Sequence, residues 1–368
     1  MLRTAGTTLL LVLSLTSFSA ARAAEAEPRL SLLLVDIAGL GPGDAEPLLT
    51  RRPGAVAFAQ AVSQSGETAP GAASLLTAEF VESHGLFAPG DSISTAAATL
   101  AEVLEQAGWD TGAFAADPAM DSRAGFARGF AKSEFVADAS SSSLAAALGA
   151  AVRWAEARHR PFFLYFHGTP PAAEAWTAFQ RLRQACPERT VAVLTSDRGP
   201  GGGPELGDPR LRVPLLIWHP DLAPRSVDAL VRLIDLAPAF LEWAGVAAPG
   251  SFQGNSLARL AAGTAEAAPR YGFSAAGSRP GAADSFAISA PGWRMVYDRP
   301  NNEFRLYDLK ADPGMTVDAQ ERRPDVALDL TQKLMRHLRE ARPAGGQGGQ
   351  GGQMSPELRD ELRRKGYW

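Results

Sequence analysis

One short segment, residues 63–77, combines a hydroxyl group, a proline and a run of small residues. Thr68 stands two residues before Pro70, and Gly71 and two alanines follow. Proline fixes a turn, and the small residues leave room for close backbone packing. We expect a buried helix to begin at Ser74, with its unpaired N–H groups facing the hydroxyl. This arrangement suits a nucleophile or a bound anion. A buried Pro-Gly turn with a solvated threonine is the alternative, and the segment taken alone fits that alternative better.

Two carboxylates follow apolar runs elsewhere in the chain. Residues 30–35 form a nearly continuous apolar run that ends at Asp36, and residues 190–194 precede Asp197. Runs of this kind predict strands at the centre of a parallel sheet, buried on both faces. In open α/β sheets, ligands collect at the carboxyl ends of the strands. We therefore expect Asp36, Asp197 and Thr68 to converge at that edge.

The segment around Thr68 resembles the nucleophile motif of the sulfatases, which belong to the alkaline phosphatase superfamily. That motif begins with the nucleophile, which is Cys or Ser and, in some relatives, Thr. After it come any residue, Pro, Ser, Arg and one further residue, and the motif typically ends in Ser-Leu-Leu-Thr-Gly. Thr68 takes the nucleophile position, Pro70 matches the proline, and residues 74–77 match in full. Gly71 and Ala72 replace the serine and the basic residue. The resemblance is therefore strong at fold-building positions and poor at chemical ones.

The resemblance implies that Asp36 and Asp197 are metal ligands. Sulfatases carry two consecutive acids after the first strand, but here Ile37 takes the second place. They also have His or Asn where this chain has Arg198, whose guanidinium cannot bind a metal because it stays protonated. We expect Arg198 either to turn inward and pair with an acid in the space of the cation, or to point to solvent. No cofactor is therefore expected, with residual binding of a divalent cation such as calcium left open.

A predicted strand at residues 161–166 ends at His167. Sulfatases have a His-x-x-Asp-Pro-His segment here, of which only the first histidine is present. We assign His167, together with Arg198, to anion binding or charge pairing. A lone structural histidine at the end of a strand is the alternative.

The rest of the pattern alternates apolar strands with capped helices and predicts an α/β fold. Residues 99–108 carry a capping box and a closing glycine. Residues 212–218 predict one strand, and residues 227–245 predict an amphipathic helix bent at Pro238. The resemblance implies an alkaline-phosphatase-like three-layer core around a mainly parallel sheet, within residues 24–268.

After residue 268 the pattern changes. Three short strands and a helix predict a small antiparallel C-terminal sheet-and-helix subdomain over residues 269–342. Glycines and glutamines at residues 343–353 predict a flexible linker, and residues 354–368 predict a last helix.

The composition is that of an ordinary globular protein. Of the 368 residues, 46% are hydrophobic and 21% are charged, and the formal net charge is -4. This length suits one large domain with an appendage, or two domains. The charge argues against nucleic acid or an anionic membrane as a partner. Cys186 is the only cysteine, so no internal disulfide can form.

The first residues, 1–23, have the pattern of a secretory signal peptide. Arg3 precedes an apolar run at residues 9–15, and Ala-Arg-Ala at residues 21–23 forms a cleavage site. The apolar run is short for a bilayer span, so cleavage is preferred to an uncleaved anchor. We therefore expect a secreted or periplasmic protein with no membrane span after cleavage.

Sulfatase-type hydrolysis needs a nucleophile, a cation ringed by acids, and basic groups that hold the sulfate. The chain keeps Thr68, Asp36 and Asp197, but it lacks the second strand acid and the basic residue after the nucleophile. Thr68 cannot become formylglycine, the modified nucleophile of the family, because that modification needs a cysteine or serine.

Two hypotheses follow. The favoured one is a secreted sulfatase-like protein with eroded metal and sulfate sites, acting as a non-catalytic binding or accessory module for a sulfated or phosphorylated ligand. The alternative is a metal-dependent hydrolase or transferase of sulfate or phosphate esters that uses Thr68 as nucleophile. Metal binding without substrate would separate the two.

Overall fold

The computed structural model describes residues 29–44, 54–277 and 283–341. The predicted signal peptide, the Gly/Gln linker and the last helix lie outside these residues. None of the helices within the described ranges is both long and apolar enough to span a bilayer.

Two sheets build the described part of the chain. The larger has nine strands, in the order β4-β3-β5-β1-β6-β8-β2-β7, with β9 paired to β2. Most of its neighbouring strands are parallel, whereas β7 and β8 run antiparallel to their neighbours. The strands are β1 (Ser31–Ile37), β2 (Val56–Val62), β3 (Asp110–Ala116), β4 (Lys132–Val136), β5 (Phe162–Gly168), β6 (Thr190–Thr195), β7 (Arg212–Val213), β8 (Leu215–Trp218) and β9 (Arg225–Arg232).

Strand β1 lies at the centre of this sheet, between β5 and β6, and all seven of its residues are buried. Successive side chains point to opposite faces of a strand. Leu32 and Leu34 accordingly join one apolar cluster, while Leu33 and Val35 join another. The apolar run in the sequence exists because both faces of β1 are covered, and the predicted central strand is confirmed.

Helices cover both faces of the large sheet. Helices α1, α3 and α7 contribute to the cluster on one face, and α4 and α5 contribute to the cluster on the other. The predicted three-layer α/β core is confirmed. The helices are α1 (Thr68–Thr77), α2 (Val81–His84), α3 (Leu100–Gln106), α4 (Ser141–Glu156), α5 (Ala172–Ala185), α6 (Asp208–Leu211), α7 (Leu236–Ala244), α8 (Ala258–Ala261) and α9 (Pro324–Glu340).

The smaller sheet is antiparallel and, in the described residues, has four strands in sequence order. They are β10 (Gly272–Ala276), β11 (Ser285–Ala290), β12 (Trp293–Asp298) and β13 (Glu303–Asp308). Helix α9 packs its apolar side on this sheet, with Leu330 and Leu334 both buried. The predicted small antiparallel unit is confirmed, with β10 as a strand that the sequence pattern did not show.

Two predicted elements are wrong. Residues 227–245 are not one bent helix, because Arg225–Arg232 forms β9, parallel to β2, and helix α7 begins only at Leu236. Pro238 lies in the first turn of α7, where a missing N–H costs no helical hydrogen bond and requires no bend. The single strand predicted at residues 212–218 is divided into β7 and β8 at Pro214, which cannot donate to a sheet ladder.

Candidate functional site

Thr68 is the first residue of helix α1. The expected helix start at Ser74 is therefore wrong, because that residue lies in the second half of α1. Proline is tolerated in a first helical turn, so Pro70 lies within the first turn of α1 and does not separate a turn from the helix. The N-cap residue, Glu67, makes no side-chain capping hydrogen bond. The first N–H groups of α1 are thus available to a ligand near Thr68.

Gly71 allows α1 to pack directly on the loop after β6. A Cβ atom at this position would lie 3.1 Å from the carbonyl carbon of Asp197, and closer still to its oxygen. The hydroxyl of Ser63 donates a hydrogen bond to the same carbonyl oxygen. These two contacts fix the backbone of Asp197 beside the beginning of α1.

Asp36 is fully buried at the end of β1, and both of its carboxylate oxygens accept hydrogen bonds. Oδ1 accepts from the backbone N–H of Asp197 at 2.7 Å. Oδ2 accepts from the hydroxyl of Tyr165 at 2.9 Å and lies 3.1 Å from Nδ1 of His167. Through these contacts Asp36 connects the end of β1 with the end of β5 and with the segment that follows β6.

His167 lies between two carboxylates. While its Nδ1 faces Asp36, its Nε2 lies 3.2 Å from Oδ2 of Asp117. Burial lowers the pKa of His167, but the negative charges of Asp36 and Asp117 outweigh it and raise the pKa to about 10. At neutral pH the ring is an imidazolium that donates to both acids, as charge pairing requires.

Asp117 and Tyr165 were not predicted from the sequence as site residues. Asp117 directly follows β3, and Asp36 is the last residue but one of β1, so the position of an acid at a strand end was the available signal. Tyr165 lies inside the apolar run of β5, where nothing in the sequence separates it from a core aromatic residue.

Asp197 is also fully buried, yet neither carboxylate oxygen has a hydrogen-bond partner within the described residues. Burial and the nearby charge of Asp36 raise the pKa of Asp197 well above its ordinary value. An uncompensated buried carboxylate must either bind a proton or a cation, because leaving it charged and unpaired is costly.

Asp36, His167 and Asp197 each offer one possible metal-ligand atom, and these atoms lie within 4.8 Å of one another, although His167 could bind a metal only after its ring loses a proton. Carboxylate oxygens and imidazole nitrogens are common ligands of divalent cations. The free oxygens of Asp197 fit such an ion. This cluster agrees with the expectation that a divalent cation can bind, and it lends no support to the expectation that no cofactor is present.

Arg198 turns inward, but not onto an acid. Its Nε donates to Oγ1 of Thr68 at 3.0 Å, and its Nη1 donates to the carbonyl of Gly199 at 3.1 Å. Neither of the two expected orientations is therefore observed, because the guanidinium contacts the threonine and does not point to solvent. His167 already satisfies Asp36, which leaves that acid no need for a second cation.

A cavity of about 590 Å³ opens at Thr68 and Arg198. Its lining includes the polar residues Glu67, Thr68, Asp117, Thr169, Arg198 and Glu205. Its volume is within the range of pockets that bind small molecules. The positions predicted from sequence thus form a buried acid cluster that adjoins an open cavity, with Arg198 and Thr68 exposed to that cavity.

Comparisons with known proteins relate parts of the chain to sulfatases. Residues 206–342 match the family model described as N-sulphoglucosamine sulphohydrolase, C-terminal. Arylsulfatase K of Mus musculus is 24% identical over 168 residues, which cover 40% of this chain and 30% of that protein. Arylsulfatase K of Xenopus laevis is 26% identical over 169 residues, covering 40% and 31%. The match thus spans less than a third of the length of these curated relatives.

Solved structures share the fold at low identity. A putative sulfatase from Bacteroides thetaiotaomicron has a TM-score of 0.74 and 14% identity, over 90% of this chain and 100% of that one. A protein solved with its substrate D-glucosamine-2-N,6-O-disulfate has a TM-score of 0.71 and 14% identity, over 87% and 100%. The phosphonate monoester hydrolase of Agrobacterium radiobacter has a TM-score of 0.70 and 16% identity, over 84% and 95%. These structures show that the chain has the fold shared by sulfatases and the phosphonate monoester hydrolase, and the sequence matches relate parts of it to sulfatases.

Proposed function

We propose that this protein binds a sulfate or phosphate ester without hydrolysing it, as a secreted or periplasmic binding or accessory module. The observation that carries this proposal is the contact between Arg198 and Thr68. A permanent cation donates a hydrogen bond to the hydroxyl at the nucleophile position, at 3.0 Å.

The cavity beside Thr68 offers N–H donors to a bound anion. Arginine binds sulfate and phosphate oxygens well because its planar guanidinium presents several N–H groups in a fixed fork. In Arg198, Nε and Nη1 are engaged with Thr68 and Gly199, which leaves Nη2 and the remaining N–H of Nη1 for a ligand. The uncapped N-terminus of the ten-residue helix α1 adds backbone N–H groups beside Thr68.

Hydrolysis with Thr68 as nucleophile needs a group that accepts the proton of its hydroxyl. A threonine hydroxyl is a weak nucleophile until a base or a metal removes its proton. Among the described residues, the side-chain partner of Thr68 is the Nε of Arg198, which is a donor and cannot accept that proton. Ile37 and Ala72, which replace the second acid and the basic residue, are both completely buried and offer no polar atom.

The alternative function is metal-dependent hydrolysis or transfer with Thr68 as nucleophile. The observation in its favour is the buried carboxylate of Asp197, whose oxygens have no partner in the described part of the chain. A divalent cation held by Asp36 and Asp197, and by His167 once its ring has lost a proton, would supply Lewis-acid chemistry at this edge of the sheet. In that case Arg198 would still orient the Thr68 hydroxyl and bind the anionic group of the ester.

The secreted or periplasmic location rests on the signal-like pattern of residues 1–23. Mass spectrometry of the N-terminus of the protein recovered from cells tests it directly. A new N-terminus close to Ala24 supports export, and an intact N-terminus in the cytosolic fraction contradicts it.

Calorimetric titration with inorganic sulfate and inorganic phosphate tests the anion site. We expect Arg198→Gln to weaken the binding by about tenfold or more, because a charged hydrogen bond contributes roughly 1.5–3 kcal/mol. Arg305→Gln is the matched control, since Arg305 is an exposed arginine of the small sheet. Equal affinities of the wild type and Arg198→Gln would contradict the proposed site.

A further inference from the structure

Arg294 of the small sheet is completely buried, although it carries a charge. It lies in β12, and its Nε donates a hydrogen bond to the hydroxyl oxygen of Ser289 in β11 at 3.1 Å. Its Nη2 lies 3.1 Å from Oδ1 of Asp208, the first residue of α6. Burial lowers the pKa of Arg294 to about 10, so the side chain is still charged at neutral pH. This ion pair joins the small sheet to the segment that leads into β7.

Stability alone does not account for an arginine at this place. Its Nη1 has no hydrogen-bond partner among the described residues, and apolar side chains of similar volume often replace a buried ion pair at no cost. Apolar side chains from both sides already pack around the pair, namely Leu206, Leu211, Ala276, Ala287 and Val296. Apolar contacts are not directional, whereas hydrogen bonds and ion pairs require a defined geometry. The contribution of Arg294 is therefore to fix where α6 lies on the small sheet.

Helix α6 in turn holds the backbone next to Arg198. The N–H of Gly199 donates to the carbonyl of Arg210 at 2.7 Å, and the N–H of Gly201 donates to the carbonyl of Pro209 at 3.2 Å. A Cβ atom at Gly199 would overlap the carbonyl oxygen of Pro209, so the two backbones are in direct contact. The carbonyl of Gly199 also accepts from Nη1 of Arg198. A shift of α6 would therefore move the guanidinium of Arg198.

The same helix contacts the chain just before Thr68. Nη1 of Arg210 lies 3.0 Å from Oε1 of Glu67, the N-cap residue of α1. The N–H of Ser63 donates to the carbonyl of Leu211 at 2.9 Å. Helix α6 thus contacts the segments on both sides of the hydrogen bond between Arg198 and Thr68, and its position determines how these two side chains face each other.

We propose that Arg294 is a positioning residue of the proposed anion site. Through Asp208 it holds α6, and α6 holds Arg198 against Thr68. This inference rests on the proposed function, since it concerns the affinity of the same site. Neither Arg294 nor Asp208 is among the residues that line the cavity. The small sheet therefore controls anion binding without touching the anion.

Calorimetric titration of the full chain with inorganic sulfate and with inorganic phosphate tests this role. Arg294→Met removes the charge and keeps a long side chain, and it should weaken anion binding about fivefold, as expected for a residue that acts through others. Asp208→Asn breaks the same pair from its partly exposed side and should cause a similar loss. This second variant provides the test if Arg294→Met does not fold.

Met295→Val is the matched control. Met295 follows Arg294 in β12 but packs on the opposite face of the small sheet, where it contacts the hydroxyl of Thr331 in α9. This substitution should lower the stability of the small sheet and leave the affinity for sulfate unchanged. It separates a general loss of stability from a loss of positioning.

A combined variant tests the link to Arg198. In Arg198→Gln, the further change Arg294→Met should alter the affinity by less than about twofold, because no guanidinium remains to be positioned. Wild-type affinity in both Arg294→Met and Asp208→Asn, an equal loss with and without Arg198, or a matching loss in Met295→Val overturns this inference and leaves the proposed anion site standing. Failure of the wild type to bind either anion overturns the proposed function as well.

Discussion

The imidazole of His167 links two strand-end acids, with Nδ1 at 3.1 Å from Asp36 and Nε2 at 3.2 Å from Asp117. The side chains of His167 and Asp36 are completely inaccessible to solvent. The positive ring compensates charge inside the site, where Arg198 was expected to do so. Arg198 is thereby free to contact Thr68 at the cavity.

Replacing His167 should destabilise the fold. His167→Leu leaves Asp36 and Asp117 without their shared cation, and breaking a buried ion pair from one side costs about 3 kcal/mol or more. His159→Leu is the control, because His159 is exposed and should change stability by less than about 0.5 kcal/mol. The measurement is urea unfolding followed by circular dichroism. Similar stabilities of the two variants would refute the role given to His167.

Gly71→Ala should disturb the packing of α1 on the loop after β6. The added methyl group would overlap the carbonyl group of Asp197, and overpacking of this kind costs about 1–3 kcal/mol. Gly250→Ala is the matched control, because a Cβ there would meet no atom within 4 Å. Thermal unfolding of both variants checks this prediction. A Gly71→Ala protein as stable as the control would show that the helix can shift at no cost.

His84 should make the protein less stable in mild acid. Burial lowers the pKa of His84 to about 4, against the opposing effect of Glu82. Its Nδ1 accepts from the N–H of Leu86, and its Nε2 lies 2.9 Å from the hydroxyl of Ser74, so the folded state holds the neutral ring. The unfolded chain binds the proton from about pH 6.5 downward.

The contribution of His84 is therefore complete above about pH 6.5 and falls as the pH decreases toward 4, by roughly 3 kcal/mol in all. Unfolding free energies measured at a series of pH values should show this decrease. In His84→Gln the slope between pH 6.5 and 4 should be smaller by about one proton. An unchanged slope would mean that the buried ring is not what titrates.

Features set by local sequence were predicted well. The apolar run before Asp36 correctly predicted the central strand, because a strand that is buried on both faces has a continuous apolar pattern. The capping box of Thr99 and Glu102 is present at the start of α3, as predicted, because both of its hydrogen bonds are made within one turn.

Features set by distant partners were not predicted. The strand Arg225–Arg232 depends on pairing with Val56–Val62, far away in the sequence. Its half-buried pattern also suits a helix face, so periodicity could not decide between the two. The orientation of Arg198 depends on whether another cation, here His167, already pairs with Asp36. Asp117, the acid that helps to hold His167, lies at the end of yet another strand, β3.

The most direct test of the proposed non-catalytic function is hydrolysis of p-nitrophenyl sulfate and p-nitrophenyl phosphate. The purified full chain and Thr68→Ala are compared, each with added calcium and after chelation. The proposed function predicts equal rates for the two proteins under both conditions, because Thr68 has a donor and no base at its hydroxyl. Calcium-dependent hydrolysis that disappears in Thr68→Ala would contradict it.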